Sequence, residues 1–139
     1  MESRVTIGWR ERVNLPEWGV FGLAAKIDTG ARTSAIHVEN IELAGENGIK
    51  FDVILSRKQM HRRVSVTTDW VRRARIRSSS GEVQERYVVS TLLVLGGIEK
   101  RIELSLVSRQ KMLCRMLLGR SALGDDFSID AGEKYLTTP

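Results

Sequence analysis

The chain has 139 residues, 42 % hydrophobic and 28 % charged, a balance that excludes intrinsic disorder and fits one domain, residues 1–139, around one core. Lysine and arginine total 22 against 17 acidic residues, and the net charge of +5 favours acidic partners. Cys114 is the only cysteine, so no internal disulfide forms, and a cytoplasmic location is expected.

The first residues, Met1-Glu2-Ser3-Arg4, lack the apolar core of a signal peptide. From Val20 to Asp28 the chain is rich in apolar residues and reads as a strand ending at Thr29-Gly30. Ser34 to Leu43 is a second strand, leading into Gly45-Glu46-Asn47-Gly48, where Asn-Gly predicts a hairpin turn with both residues at positive φ. Ile49 to Leu55 returns. The basic stretch His61-Arg62-Arg63, Arg72-Arg73, Arg75 and Arg77 overlaps a strand around Val71, Ala74 and Ile76. Ser78 to Gly81 then gives a turn, Glu82 to Leu95 a long strand, and Gly96-Gly97 a tight turn. Ile98 to Val107 alternates, with Ile98, Ile102, Leu104 and Leu106 on one face and Glu99, Arg101, Glu103 and Ser105 on the other. Arg120 to Leu123 is the one short helix, and Asp126–Ile129 and Lys134–Thr137 are candidate closing strands. No apolar run is longer than strand-sized, which argues against a membrane span. Short strands joined by glycine turns predict an all-β domain, a compact barrel or sandwich with edges that a second copy would cover.

The run Ala25-Lys26-Ile27-Asp28-Thr29-Gly30-Ala31 carries the chemistry. Peptide hydrolysis by carboxylates needs two aspartates sharing one proton, because like charges about 3 Å apart cannot both ionise. One activates water and the other polarises the scissile carbonyl. The hydroxyl of a following threonine locks such a loop, and glycine admits close backbone approach. The chain offers the Asp-Thr-Gly arrangement once, so the second carboxylate would come from a second copy. Asp125 and Asp126 lack the Thr-Gly context and fit a turn or helix end.

Met116-Leu117-Leu118-Gly119-Arg120 adds two apolar residues and a glycine, late in the chain, before the helix. This resembles the retroviral-type aspartic proteases (retropepsins), where such a segment packs behind the catalytic loop. The elements between the two motifs follow the same order: flap hairpin, long return strand, tight turn, strand. Together with Gly8-Trp9-Arg10-Glu11, the block from Lys26 to His37 and the block from Arg115 to Leu123 resemble one family over nearly the whole chain. It is the retropepsin-like family associated with RimK-type glutamate ligases, often labelled ATP-dependent zinc protease.

The resemblance implies a single-lobed acid-protease closed barrel, a catalytic Asp28, and supporting roles for Thr29 and Gly30. Ala31 and Arg32 would meet substrate. So would Ser79, Ser80 and Gly81 if that turn is the flap; the hairpin at Gly45 to Gly48 is the alternative flap. Leu117, Leu118, Gly119 and Arg120 would support the site. Beyond meeting substrate, Arg32 has a second reading, bracing the loop. Read from the residues themselves, Arg120 would pair with an acidic residue that stabilises the dimer, His37 would be a hydrogen-bonded packing residue, and Cys114 would be buried filler.

No cofactor is expected, despite the family's label. His37, His61 and Cys114 are too scattered for a zinc site, and no nucleotide-binding glycine loop ending in Lys-Ser/Thr is present. The expected activity is that of an aspartic endopeptidase, a homodimer acting on acidic or glutamate-rich peptides, with a possible functional link to a glutamate ligase. A non-catalytic peptide-binding module on the same fold is the alternative. A nucleic-acid-binding β-barrel fits less well, because the aromatic residues do not interleave with the arginines.

Overall fold

The computed structural model describes residues 4–59, 61–77, 81–108 and 112–137. Ten strands dominate: β1 (Val5–Gly8), β2 (Arg10–Leu15), β3 (Val20–Ile27), β4 (Ser34–Ala44), β5 (Gly48–Ile54), β6 (Arg63–Arg77), β7 (Val83–Leu95), β8 (Ile98–Val107), β9 (Met116–Leu118) and β10 (Phe127–Asp130). A single helical turn, α1, spans Arg120–Leu123, and a 3₁₀ turn, Pro16–Trp18, joins β2 to β3. The eight strands β2-β3-β9-β4-β5-β6-β7-β8 form one sheet. Pairings of β2 with β7 and of β4 with β8 bend it into a ring. Among the described residues no helix is long and apolar enough to cross a membrane.

The core follows from strand alternation. On β2, Glu11, Val13 and Leu15 point inward while Arg10, Arg12 and Asn14 point outward. Phe51 of β5 is fully buried and meets Trp18 edge-on at 5.4 Å between ring centroids. The predicted alternation of β8 holds up to Leu104 and then ends. Ser105, placed on the outer face by the sequence, is buried along with Leu106 and Val107. The reason is topological: β8 has β7 on one edge and the start of β4 on the other, and the ring closes over its second half.

Two turns show different chemistry. Gly96 and Gly97, between paired Leu95 and Ile98, both adopt positive φ (58° and 81°), as a type I′ hairpin requires. At the β4–β5 hairpin the expected Asn47-Gly48 turn is displaced. The left-handed residue is Gly45 (φ 65°), and Gly48 already belongs to β5, where a Cβ would lie 2.3 Å from the Ala44 carbonyl oxygen. The distal β6–β7 hairpin projects with both faces largely exposed, from Val71 to Arg77 and from Val83 to Arg86. Its connection contains Ser79 and Ser80, which lie outside the described residues.

The ends of the chain depart most from the sequence reading. Strands β1 and β2 were not legible, and Lys134–Thr137 forms no strand. β1 and β10 instead pair in parallel as a separate two-stranded sheet. The segment after β10 is fastened by the buried carboxylate of Glu11. Its Oε2 accepts hydrogen bonds from the amides of Gly8 (2.7 Å) and Leu136 (2.9 Å). Its Oε1 accepts from the amide (3.3 Å) and hydroxyl (2.8 Å) of Thr137. A Cβ on Gly8 would stand 2.3 Å from the Glu133 carbonyl, so the close crossing needs glycine there. Replacing Glu11 with alanine strands these donors, and unfolding in urea should show a loss of about 3 kcal/mol or more, since each buried unsatisfied donor costs about 1–3 kcal/mol. An unchanged midpoint would show that Glu11 does not hold the tail.

Candidate active site

Asp28 stands one residue beyond β3. Strand β9 lies between β3, to which it is parallel, and β4, to which it is antiparallel. The Asp28 amide continues the β3–β9 ladder by donating to Leu118 O at 2.9 Å. The chain then reverses: the Gly30 amide donates to Asp28 Oδ1 (3.0 Å) and the Ala31 amide to Asp28 O (3.2 Å). An aspartate that accepts from the second residue on is a common way to fix a turn. It leaves Asp28 half-buried with Thr29 and Gly30 exposed.

The loop is clamped from its other side by residues 119–121. The amides of Arg120 and Ser121 donate to the carbonyls of Ala31 (2.8 Å) and Arg32 (3.0 Å), and the Gly119 amide donates to Ser34 Oγ (3.0 Å). Gly119 has an extended backbone (φ −95°), so its role is space rather than torsion. A Cβ there would lie 2.6 Å from Thr33 O and 2.8 Å from Ala31 O. Within the chain the Arg120 guanidinium donates to the Thr29 carbonyl at 2.9 Å, because the loop turns that carbonyl toward α1.

The structure thus brings together Asp28, Thr29, Gly30 and Ala31 with Leu118, Gly119 and Arg120. Leu117 is half-buried beside Lys26 in the register. Arg32 is exposed, and its carbonyl rather than its side chain is the braced group. Gly81 (φ 88°) is exposed on the far hairpin. Asp125 and Asp126 are engaged elsewhere, with Arg4 (3.7 Å) and Lys100 (2.7 Å). Sequence reasoning missed Ser34, whose hydroxyl anchors Gly119; a serine opening a strand gives no signal of a partner 85 residues away. A cavity of about 250 Å³ adjoins the loop, lined by Thr33, Ser34, Ser121, Arg72 and Arg101 among others.

Behind the loop, His37 is fully buried; its amide donates to Arg115 O at 2.8 Å and its Nε2 lies 3.4 Å from Glu39 Oε2. Burial, then the charge of Arg115, hold its imidazole below the usual 6.5, with Glu39 offsetting part of this. Cys114 is buried. Among the described residues no three His, Cys, Asp or Glu side chains come close enough to hold a metal ion.

The family model for the RimB-like proteins, described as "Retropepsin-like aspartic endopeptidase RimB", matches residues 6–139. The chain belongs to this family. Among curated proteins it is similar to a probable alpha-L-glutamate ligase of Shewanella halifaxensis, 37 % identical over 140 residues, covering 96 % of the chain and 30 % of that protein. A protein of the same name from Parasynechococcus marenigrum is 32 % identical over 126 residues, covering 88 % of the chain and 27 % of that protein. The chain therefore spans about 30 % of the length of the curated relatives it matches. A crystal structure of a Legionella pneumophila protein of unknown function superposes with a TM-score of 0.82 at 26 % identity, covering 98 % of this chain and 100 % of that one. The retropepsin-like, all-β expectation agrees with these findings.

Two predictions follow from this geometry. Gly119→Ala should push the loop off its clamp, costing about 1–3 kcal/mol of stability as an overpacking change, and should speed hydrogen exchange at the Arg120 and Ser121 amides; native-like exchange there would refute the clamp. For His37 the folded pKa is depressed, so the unfolded chain binds the proton first. Stability is full above about pH 6.5 and falls as the pH drops below it, by at most about 1.4 kcal/mol per pH unit. Asp52, also lowered, by hydrogen bonds from Asn40 and Ser65, acts in the same direction but only below its unfolded 3.8. Urea midpoints between pH 7 and 5 should therefore decline in the wild type and flatten in His37→Gln. Parallel slopes would assign the decline elsewhere.

Proposed function

We propose that the chain is an aspartic peptidase that works as a homodimer, each copy supplying one Asp28. The observation that carries this reading is the presentation of Asp28: a half-buried carboxylate on a loop braced from both sides, with Thr29 and Gly30 exposed beside it. Rigid bracing suits a group that must meet its mate within hydrogen-bond distance, since a misplacement of about 1 Å costs on the order of 10²-fold in rate. In the dimer the two carboxylates share a proton. The ionised one takes a proton from water as it attacks the scissile carbonyl, and the protonated one donates toward the carbonyl oxygen. Thr29 and Gly30 line the contact between the loops, and Arg32 stands at its rim. Gly81 leads into the return strand of the projecting hairpin, which on this reading would fold over the peptide, with Ser79 and Ser80, next to it in the sequence, as further substrate contacts.

The substrate on this reading is an acidic, glutamate-containing peptide. Support comes from the net charge of +5, from Arg72, Arg73, Arg75, Arg77 and Arg86 on the projecting hairpin, and from relatives named glutamate ligases, with which a functional link in the cytoplasm is natural. Removing a carboxylate that acts as acid or base costs about 10²–10⁴-fold. Asp28→Asn should lose that much turnover on oligoglutamate-containing peptides across acid and neutral pH, while sedimenting as the wild type does. Equal turnover by the two proteins would sink the peptidase reading and leave a binding module.

A further inference from the structure

Side chains alternate along a strand, and directly opposed residues share a face. Asp28 therefore shares a face with Lys26 and Ala24 of β3. Arg10 of β2 and Leu117 of β9 stand opposite Lys26 on that same face. Four residues back from Asp28, about 13 Å at a strand's rise, this face opens into a cavity of about 310 Å³. Arg10, Arg57, Lys58 and Arg115 line it together with Ala24 and Leu55, and no acidic side chain is among its lining residues. Arg115 is only 2 % exposed, and Arg57 lies near enough that its charge, after burial, lowers the Arg115 pKa. The carboxylate that Arg115 feels, Glu39, is shared with His37 at 3.4 Å and Arg63 at 3.9 Å. Cations crowded in this way are stabilised by an anion entering from solvent.

A second cavity, about 280 Å³ and largely apolar, is lined by Lys26, Cys114, Met116 and Leu117. The two cavities share the exposed side chain of Leu113, and the second reaches Lys26, two residues before Asp28 on the same face. Apolar walls leading to guanidinium groups suit a side chain with a methylene stem and a carboxylate tip. No aromatic side chain lines either cavity, which argues against nucleobases.

We propose that the cavity of Arg10, Arg57, Lys58 and Arg115 is a specificity subsite for a carboxylate side chain of the substrate. This rests on the peptidase reading above. An extended peptide lying along the face rises as a strand does, so the carboxylate recognised sits about four residues from the bond that is cut. The test places a single glutamate at successive positions of a glutamine peptide and compares kcat/KM for the wild type and the Arg57→Gln/Lys58→Gln double variant. The wild type should prefer glutamate at about the fourth residue from the cut by about tenfold, the scale of one charge-assisted hydrogen bond. The double variant should lose that preference. A flat positional profile in the wild type, or an unaltered one in the variant, overturns the subsite. A second measurement needs no turnover: fluorescence anisotropy of labelled oligoglutamate with Asp28→Asn, with and without the double substitution. About tenfold weaker binding on loss of the two charges supports the subsite even if the peptidase reading fails. Equal binding overturns it, and so does displacement of the peptide by single-stranded DNA at matched charge.

Discussion

The structure depends on one interlock. Three residues of β9 are inserted between β3 and β4, and the chain on either side of the insertion is tied to the Asp28 loop. Neither β3 nor β4 alone could hold the loop, because a chain reversal after a strand normally frays into solvent. Here Leu118 receives the Asp28 amide from one side and residues 119–121 donate to Ala31, Arg32 and Ser34 from the other. The backbone approach is so close that glycine is the one residue type that fits at 119. The insertion also gives the ring one of its parallel pairings, β3 against β9; the other, β4 against β8, comes from the ring's closure.

The same interlock explains which parts of the molecule were legible in the sequence. The Asp28 loop and its Leu-Leu-Gly counterpart are local runs with composition constraints, so both could be read, and so could α1 and the hairpin at Gly96-Gly97. The long strands were visible because β7 and β8 are dense in β-branched and apolar residues. What escaped was governed by partners distant in sequence. Arg-Glu-Arg-Val-Asn-Leu on β2 alternates, but its inward set begins with a glutamate, and nothing local reveals that the carboxylate is matched by donors some 125 residues away. Ser105 escaped for a related reason: alternation predicts a face, and only the ring's closure buries both.

The buried polar groups divide between two tasks. Glu11 ties the segment after β10 to the start of the ring, and its interactions are neutral amide and hydroxyl donors rather than a cation. Around β4 the arrangement is ionic. His37, Glu39, Arg63 and Asp52 follow one another across β4, β5 and β6, with Asn40 and Ser65 completing the shell of Asp52. Asn40 takes a positive φ of 57° where the β4–β5 register shifts, which places its amide on Asp52. Only His37 among them is fully buried, and partly exposed ion pairs of this kind add little net stability; the effect of His37 and Asp52 is to make the fold sensitive to acid.

That sensitivity bears on the proposed chemistry. A carboxylate dyad shares its proton most readily at mildly acidic pH, where protonation of the buried His37 begins to count against the fold. Burial sets most of that cost and the charge of Arg115 adds to it; the Arg115 backbone carbonyl holds His37, and the residue also lines the basic cavity on the Asp28 face. An anion in that cavity reduces the positive potential at His37, so the imidazole becomes easier to protonate without loss of packing. On the proposed reading, an acidic substrate therefore does more than fill the cavity. On that reading it also changes the electrostatic cost of the conditions under which the paired aspartates would work, because Arg115 lies beside both the cavity and His37.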